Sequence, residues 1–194
     1  MTPLNFTVGK IGYRLKRCRQ EPLVKLVFDR VPNTPSPTVL DFTAGLGSDA
    51  LLLAQAGCVV TAFEQCAPVA HVLRAGLAAA QPTFLKEACS RFTLIEANAL
   101  QYVPTHFLRA DVVYCDPMFP DKIKFAASKG PLQWLQTHVA PPSFEEEQAL
   151  LTVAQQTAPW VIVKRPRLAP FLAHQKPHHQ RVYRSCRFDV YLGK

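Results

Sequence analysis

The sequence predicts an α/β fold in which a mostly parallel sheet is covered by helices on both faces and ends in an antiparallel strand. From residue 38 onward, short apolar segments alternate with helical ones, which is typical of parallel strands joined by crossover helices. Glycine and polar residues follow several of these apolar segments, as expected where ligands bind at the carboxyl ends of parallel strands. The last apolar segment alternates with polar residues and predicts the antiparallel strand.

The elements follow from local signals. Residues 1–37 form a basic N-terminal segment with one predicted helix, Pro22–Arg30, because proline suits the first position of a helix and apolar residues follow it. Residues 38–194 form one predicted domain. Its strands are predicted at residues 39–41, 58–63, 92–96, 111–116, 160–163 and 187–192. Its helices are predicted at 49–55, where Gly57 suits the C-terminal cap, at 68–80, and at 143–157, where Ser143 and Glu146 form a capping-box pattern.

Basic residues are concentrated at the two ends of the chain. Lys and Arg exceed acidic residues by five over residues 1–30 and by seven over residues 160–194, whereas residues 31–159 carry a net charge of −4. This asymmetry indicates a polyanionic partner that both ends contact.

Other compositional features exclude several classes of protein. Apolar residues make up 48% of the chain, which is typical of a globular protein, and no segment is long and apolar enough to predict a membrane helix. The six cysteines are scattered and the first residues lack a signal-peptide pattern, so we expect a cytoplasmic protein with reduced thiols. His174, His178 and His179 lack partners at ligand spacing, and we expect no metal site.

A glycine-rich turn predicts a site for an adenosine-containing cofactor. Gly45-Leu-Gly-Ser-Asp-Ala50 follows the first predicted strand and precedes a helix, and Glu64 ends the second strand, where a carboxylate can bind ribose hydroxyls. A dinucleotide would also need a phosphate cradle, which the sequence does not show. S-adenosylmethionine (SAM) has no phosphates, and Asp41 and Asp49 are placed to attract its ammonium group. SAM is therefore the predicted cofactor.

Asp116-Pro-Met-Phe119 follows the fourth predicted strand and faces the same crevice. The Asp116 carboxylate and the Pro117 carbonyl can accept hydrogen bonds from the two N–H groups of an exocyclic base amine. These bonds would point the amine nitrogen at a methyl donor. Phe119 offers a face for stacking, with Met118 beside it. We interpret these four residues as the catalytic turn of an amino-methyltransferase, in which positioning supplies most of the rate gain.

Basic residues near the crevice are candidates for contacts with RNA phosphates. The predicted contacts lie in the N-terminal segment, after the catalytic turn and after the fifth strand: Arg14, Lys16, Arg17, Lys122, Lys124, Lys164, Arg165 and Arg167.

Four blocks together resemble the bacterial small-subunit ribosomal RNA guanine-N2 methyltransferases of the RsmJ type. They lie, in order, at residues 41–49, 112–120, 161–166 and 187–191. The resemblance implies a Rossmann-like class I methyltransferase fold and methyl transfer from SAM to N2 of a guanine in 16S ribosomal RNA. It also implies which residues line the cofactor site. Combined with the glycine turn, the predicted set is Asp41, Thr43, Ala44, Gly45, Gly47, Ser48, Asp49, Glu64, Gln65, Asn98, Ala99 and Asp116.

The sequence departs from that family at three places. Members usually carry a further N-terminal portion, have a lysine-rich segment where residues 122–131 stand here, and have a basic residue at the position of Gln65. Two alternatives therefore stay open. One is methylation of another base amine, such as adenine N6, in RNA or DNA. The other is a non-catalytic RNA-binding assembly factor that retains the fold. The sequence leaves the oligomeric state undetermined, and ribosomal RNA or the small subunit is the predicted partner.

Overall fold

The computed structural model describes residues 4–119 and 131–194 of the chain. In these residues the fold is a seven-stranded sheet with the strand order β3-β2-β1-β4-β5-β7-β6. The strands are β1 (Thr38–Asp41), β2 (Val59–Phe63), β3 (Phe92–Ile95), β4 (Val112–Cys115), β5 (Trp160–Pro166), β6 (His179–Val182) and β7 (Cys186–Leu192). Strands β1 to β5 are parallel, and β7 lies antiparallel between β5 and β6. The order reverses between β1 and β4, which is where ligands bind in open α/β sheets.

Helices cover both faces of this sheet. They are α1 (Gly9–Lys16), α2 (Pro22–Arg30), α3 (Ser48–Ala56), α4 (Ala67–Ala80), α5 (Lys86–Ser90), α6 (Ala99–Thr105), α7 (Pro131–His138) and α8 (Phe144–Thr157). None of the described helices is long and apolar enough to cross a membrane.

Alternate residues of each strand enter two separate cores. Val39, Val112 and Ile162 pack into a core with helices α1, α2 and α3, whereas their neighbours Leu40 and Val113 pack into a second core with α6 and α8. The twofold periodicity of a strand explains this division, because successive side chains point to opposite faces. Both cores are built from fully buried apolar side chains, which confirms the prediction of a doubly covered sheet.

The predicted strands and helices are present, with shifts of one or two residues at most ends. The predicted caps are also present. Gly57 ends α3 with φ of 112°, and Ser143 and Glu146 form the capping box of α8. The structure adds α1, α5, α6, α7 and β6, which the sequence did not predict. The largest difference is in β5, which continues to Pro166 because it pairs with β7 along its whole length.

Candidate active site

A cavity of about 300 Å³ opens at the carboxyl ends of β1, β2, β3 and β4. The predicted cofactor and catalytic residues that line it are Thr43, Gly45, Glu64, Gln65, Asn98, Ala99, Asp116, Pro117 and Met118. These residues come from four different loops, and the parallel register of the strands brings the loops to one edge of the sheet.

The glycine turn is held against the end of β2 by Glu64. Its carboxylate accepts hydrogen bonds from the backbone N–H of Gly45, at 2.9 Å, and of Cys66, at 2.7 Å. Burial raises the pKa of Glu64, and the backbone hydrogen bonds partly offset that rise. Gly45 has φ of 53°, a conformation that a residue with a side chain would rarely adopt. Because glycine has no side chain, the turn can also approach the carboxylate closely. The result is a fixed acceptor at the wall of the cavity.

The cavity also contains an amide and several apolar side chains. Asn98 caps α6 by accepting a hydrogen bond from Leu100 N–H through Oδ1, at 2.8 Å, so its orientation is fixed. Apolar side chains line this region: Phe42, Phe63, Leu100, Leu135 and Leu150. An apolar slot with one carboxylate and one amide matches an adenosine group, whose base is flat and apolar and whose ribose hydroxyls donate hydrogen bonds.

The catalytic turn is anchored to the glycine turn. The backbone N–H of Asp116 donates to Thr43 Oγ1 at 2.6 Å, which fixes the end of β4 beside the end of β1. Pro117 is buried and Met118 is half-buried at the cavity wall. Phe119 lies outside the cavity lining, with its ring centroid 4.8 Å from the guanidinium of Arg165. One face of the Phe119 ring is thus occupied by a cation.

A network of charges lies behind the turn, on the face of the sheet that α3 covers. Lys164 Nζ donates to Asp49 Oδ2 and to Asp116 Oδ2, both at 2.7 Å. Asp49 also accepts hydrogen bonds from Tyr114 Oη at 2.9 Å and from Arg14 at 3.1 Å. The network therefore connects α1, α3, β4 and β5 at the edge where the cavity opens.

The pKa values in this network follow from burial and from the ion pairs. Burial alone would raise the pKa of Asp49, but Lys164 and Arg14 lower it to about 2. Burial alone would lower the pKa of Lys164, but Asp116 and Asp49 raise it above its usual value. Burial also raises the pKa of Asp116, which Lys164 opposes and Asp49 reinforces. Lys164 is therefore a permanent cation at neutral pH.

Asp41 is the least solvated carboxyl group of the site. Its side chain is buried at the end of β1, and Oδ1 accepts a hydrogen bond from Thr43 N–H at 2.9 Å. Burial raises the pKa of Asp41 to about 8, and the charges of Asp49 and Asp116 act in the same direction. At neutral pH this carboxyl is protonated.

These observations bear on the predicted cofactor site, whose residues stay predictions. Asp41 and Asp49 do not line the cavity: Asp41 is a neutral acid in the core, and Asp49 is already paired with Lys164 and Arg14. Neither presents a free carboxylate to the ammonium of SAM. Ala44, Gly47 and Ser48 form the turn and the start of α3 behind the cavity rather than its wall.

Three of the predicted RNA contacts have side chains that are buried or half-buried in ion pairs, and their contact with RNA stays a prediction. Lys164 and Arg14 are engaged by carboxylates, as described above. Arg165 is only 1% exposed, and it pairs with Glu147 at 3.0 Å on the face that α8 covers. The reason is the length of β5, because Lys164 and Arg165 lie inside a strand and so point to opposite faces of the sheet.

Three other predicted RNA contacts, Lys16, Arg17 and Arg167, are exposed. Lys16 and Arg17 end α1 or follow it, and Arg167 follows β5. The remaining two, Lys122 and Lys124, lie outside the described residues.

Sequence reasoning missed the residues that close the cavity. Leu135 and His138 of α7 line it, together with Val139, Ala140, Pro141 and Pro142 of the segment that follows. Leu135 lies over the glycine turn, since a Cβ built on Gly45 would be 3.4 Å from its side chain. No local pattern identifies these residues, because their role depends on how α7 packs. Glu146 and Leu150 of α8 also line the cavity.

Comparisons with known proteins agree with this geometry. Residues 2–193 match the model of a family described as "Putative SAM-dependent methyltransferase". The chain is 40% identical over 195 residues to the ribosomal RNA small subunit methyltransferase J of Neisseria meningitidis, with 97% of this chain and 75% of that protein covered. It is 37% identical to the protein of the same name from Thioalkalivibrio sulfidiphilus, with the same coverage. The crystal structure of a SAM-dependent methyltransferase from Neisseria gonorrhoeae is similar with a TM-score of 0.75 and 35% identity, over 97% of this chain and 73% of that one.

Proposed function

The chain belongs to the SAM-dependent methyltransferase family that contains ribosomal RNA small subunit methyltransferase J, and from this premise we propose that it methylates N2 of a guanine in 16S ribosomal RNA. One observation carries the proposal. The turn that can bind a base amine, Asp116 to Met118, lines the same cavity as Glu64 and Asn98, which fit an adenosine group.

The donor set of the cavity fits SAM. The fixed carboxylate of Glu64 is an acceptor for the ribose hydroxyls, and the apolar slot beside Asn98 accommodates the adenine ring. Bound SAM supplies an electrophilic methyl group on a sulfonium. Thr43 and Asp116 are joined by a hydrogen bond, so the glycine turn, which would hold part of SAM, lies directly beside the catalytic turn.

The amine is held by the turn that follows β4. Asp116 and the carbonyl of Pro117 accept hydrogen bonds from its two N–H groups. This takes the nitrogen lone pair out of conjugation with the aromatic ring of the base and directs it toward the methyl group. Catalysis then consists mainly of in-line positioning. Asp116 takes up the proton that the methylated amine releases, or passes it to water.

The RNA is held by exposed cations at the edge of the sheet where the cavity opens. β7 begins at Cys186, opposite Pro166 at the carboxyl end of β5, so the turn between β6 and β7 lies at this edge. Arg167 and Arg184 are exposed there. Lys16 and Arg17 follow Arg14, which contacts Asp49 of the same site. Basic residues of the C-terminal part therefore lie at this edge, and binding to RNA should weaken steeply with salt.

The test is mass mapping of 16S ribosomal RNA from cells with and without the gene. The proposal expects one N2-methylguanine to disappear in its absence and to return with the wild-type gene but not with Asp116→Asn. Asp111→Asn is the matched control, because Asp111 lies at the opposite end of β4 and its hydrogen bonds to Thr38 can be kept by an amide. It should restore the modification.

Other outcomes would contradict the proposal in different ways. A missing N6-methyladenine would identify the other base amine. An unchanged RNA together with no heat of SAM binding in calorimetry would identify a non-catalytic RNA-binding factor. In purified protein, Asp116→Ala should reduce turnover far more than SAM affinity, and equal losses would show that Asp116 mainly holds the cofactor.

A further inference from the structure

We propose that Lys164 is a positioning residue for methyl transfer, which holds the Asp116 carboxylate at the cavity in the orientation and charge state that the base amine requires. This inference rests on the proposed function, since it concerns the group that accepts the amine. The sequence suggested instead that Lys164 binds a phosphate of the RNA.

The geometry of Lys164 favours a role inside the site. Its ammonium bridges Asp49 Oδ2 and Asp116 Oδ2 at 2.7 Å each, and its side chain is 29% exposed. A compact ammonium can donate to both carboxylates, while a planar guanidinium is suited to one carboxylate in a forked contact. Asp49 and Lys164 are 115 positions apart in the sequence, so the fold brings them into contact.

Lys164 contacts one oxygen of Asp116 only. Among the residues that the structure describes, no other side chain donates to Asp116, and its backbone N–H is fixed by Thr43. Oδ2 is thus held by the lysine, and Oδ1 is the oxygen that can accept a hydrogen from the base amine. This contact restrains the Asp116 side chain before the substrate arrives, which lowers the cost of orienting it.

Lys164 also opposes the rise in the pKa of Asp116 that burial causes, which favours the ionised carboxylate. Burial and the charge of Asp49 both favour the protonated form of Asp116, and Lys164 opposes them. A protonated Asp116 would lose half of its capacity to accept hydrogens. Several described groups either change the pKa of Asp116 or have their own pKa changed by its charge. They are Lys164 and Arg165 of β5, Asp49 of α3, Asp41 of β1, Tyr114 and Cys115 of β4, and Cys186 of β7.

Asp49 has a different role in this arrangement. It anchors the lysine from the α3 side, and Tyr114 and Arg14 hold it in place. Removal of its charge should make Asp116 easier to ionise, because one nearby negative charge is lost. Removal of the charge of Lys164 should make Asp116 harder to ionise. The two changes therefore have opposite signs, which a purely structural role of either residue would not produce.

The first experiment is a carboxyl ¹³C NMR titration of Asp116 in the ligand-free protein, with the signal assigned by its absence in Asp116→Asn. In Lys164→Met the pKa of Asp116 should rise by about one unit or more, and in Asp49→Asn it should fall. Arg14→Met is the matched control, because it removes a cation that contacts Asp49 but not Asp116, and it should shift the Asp116 signal least. An unchanged titration in Lys164→Met would overturn the proposal.

The second experiment measures single-turnover methyl transfer and SAM affinity for the same variants. Lys164→Met should reduce the rate at neutral pH by about 100-fold, with partial recovery at higher pH, and leave SAM affinity within about threefold. Lys164→Arg should recover part of the rate, since it restores the charge. A loss of SAM affinity as large as the loss of rate would instead place Lys164 in the cofactor site, and a rate loss of equal size at every pH would make its role structural. Because the NMR titration needs no substrate, it gives a result even if the methylated base is not guanine.

Discussion

Replacement of Asp41 by asparagine should stabilise the protein increasingly as the pH rises. Asp41 is 2% exposed at the end of β1, and its pKa is raised from an ordinary value of 3.8 to about 8. Below pH 4 both the folded and the unfolded chain hold the proton. Between about pH 4 and pH 8 the unfolded chain releases it and the folded chain retains it, so the free energy of unfolding falls as the pH rises.

The size of this effect follows from the shift in pKa. Each pH unit in that window costs about 1.4 kcal/mol of stability, so the loss between pH 5 and pH 8.5 is roughly 3–4 kcal/mol. An asparagine at position 41 can still accept the hydrogen bond from Thr43 N–H, but its buried amide hydrogens cost about 1–2 kcal/mol at any pH. The variant should therefore be about as stable as the wild type at pH 5 and more stable than the wild type by about 4 kcal/mol at pH 8.5.

Urea unfolding of both proteins across this pH range measures the difference directly, and contributions from other groups cancel. Asp29→Asn is the control, because Asp29 has an exposed side chain and its replacement should give a curve parallel to that of the wild type. If the Asp41→Asn curve is also parallel to the wild type, Asp41 is ionised in the folded protein and the reasoning about its burial fails.

Three further predictions concern other parts of the site. Arg165→Met should destabilise the protein by about 3–5 kcal/mol because it leaves Glu147 with an unpaired charge in a largely buried position, and RNA affinity of the folded fraction, measured by filter binding, should be unchanged; a selective loss of RNA affinity would restore the sequence prediction. Gly47→Ala should cost about 1–3 kcal/mol in urea unfolding, since φ is 71° and the added Cβ would lie 2.5 Å from Leu73 Cδ1, and wild-type stability would show that the turn can relax. Cys115 should not react with iodoacetamide in the folded protein at neutral pH, because burial raises the pKa of its thiol well above the usual value, and rapid labelling by mass spectrometry would contradict this.

The parallel strands could be predicted because their signals are local. β1, β2 and β4 are short apolar runs that end at glycine or acidic residues, and a strand buried on both faces has this appearance in sequence. β6 could not be predicted, because all four of its residues are exposed and no apolar alternation marks it. The end of β5 was missed for a related reason, since charged residues ordinarily indicate that a strand has ended.

Part of the candidate site could likewise be predicted from local signals, and part could not. Glu64, Asn98 and Asp116 lie at or just after the ends of predicted strands, so the rule that ligands bind at the carboxyl ends of strands was sufficient to place them at one cavity. The partners of Lys164 and Arg165 could not be predicted, because each ion pair depends on which helix covers which face. The closure of the cavity by Leu135 and His138 depends on the packing of α7 and has no local signal.

The adjacent cations of β5 have a consequence for how this protein tolerates change. The side chain of Lys164 lies on the face of the sheet that α3 covers, and that of Arg165 lies on the face that α8 covers, although only one peptide bond separates the two residues. A deletion of one residue before Lys164 would place the guanidinium beside Asp116, whereas an insertion there would place the ammonium beside Glu147. The order of these two residues must therefore match the register of the whole strand. A chain with the order reversed would keep its composition and net charge but would lose both ion pairs in their present form.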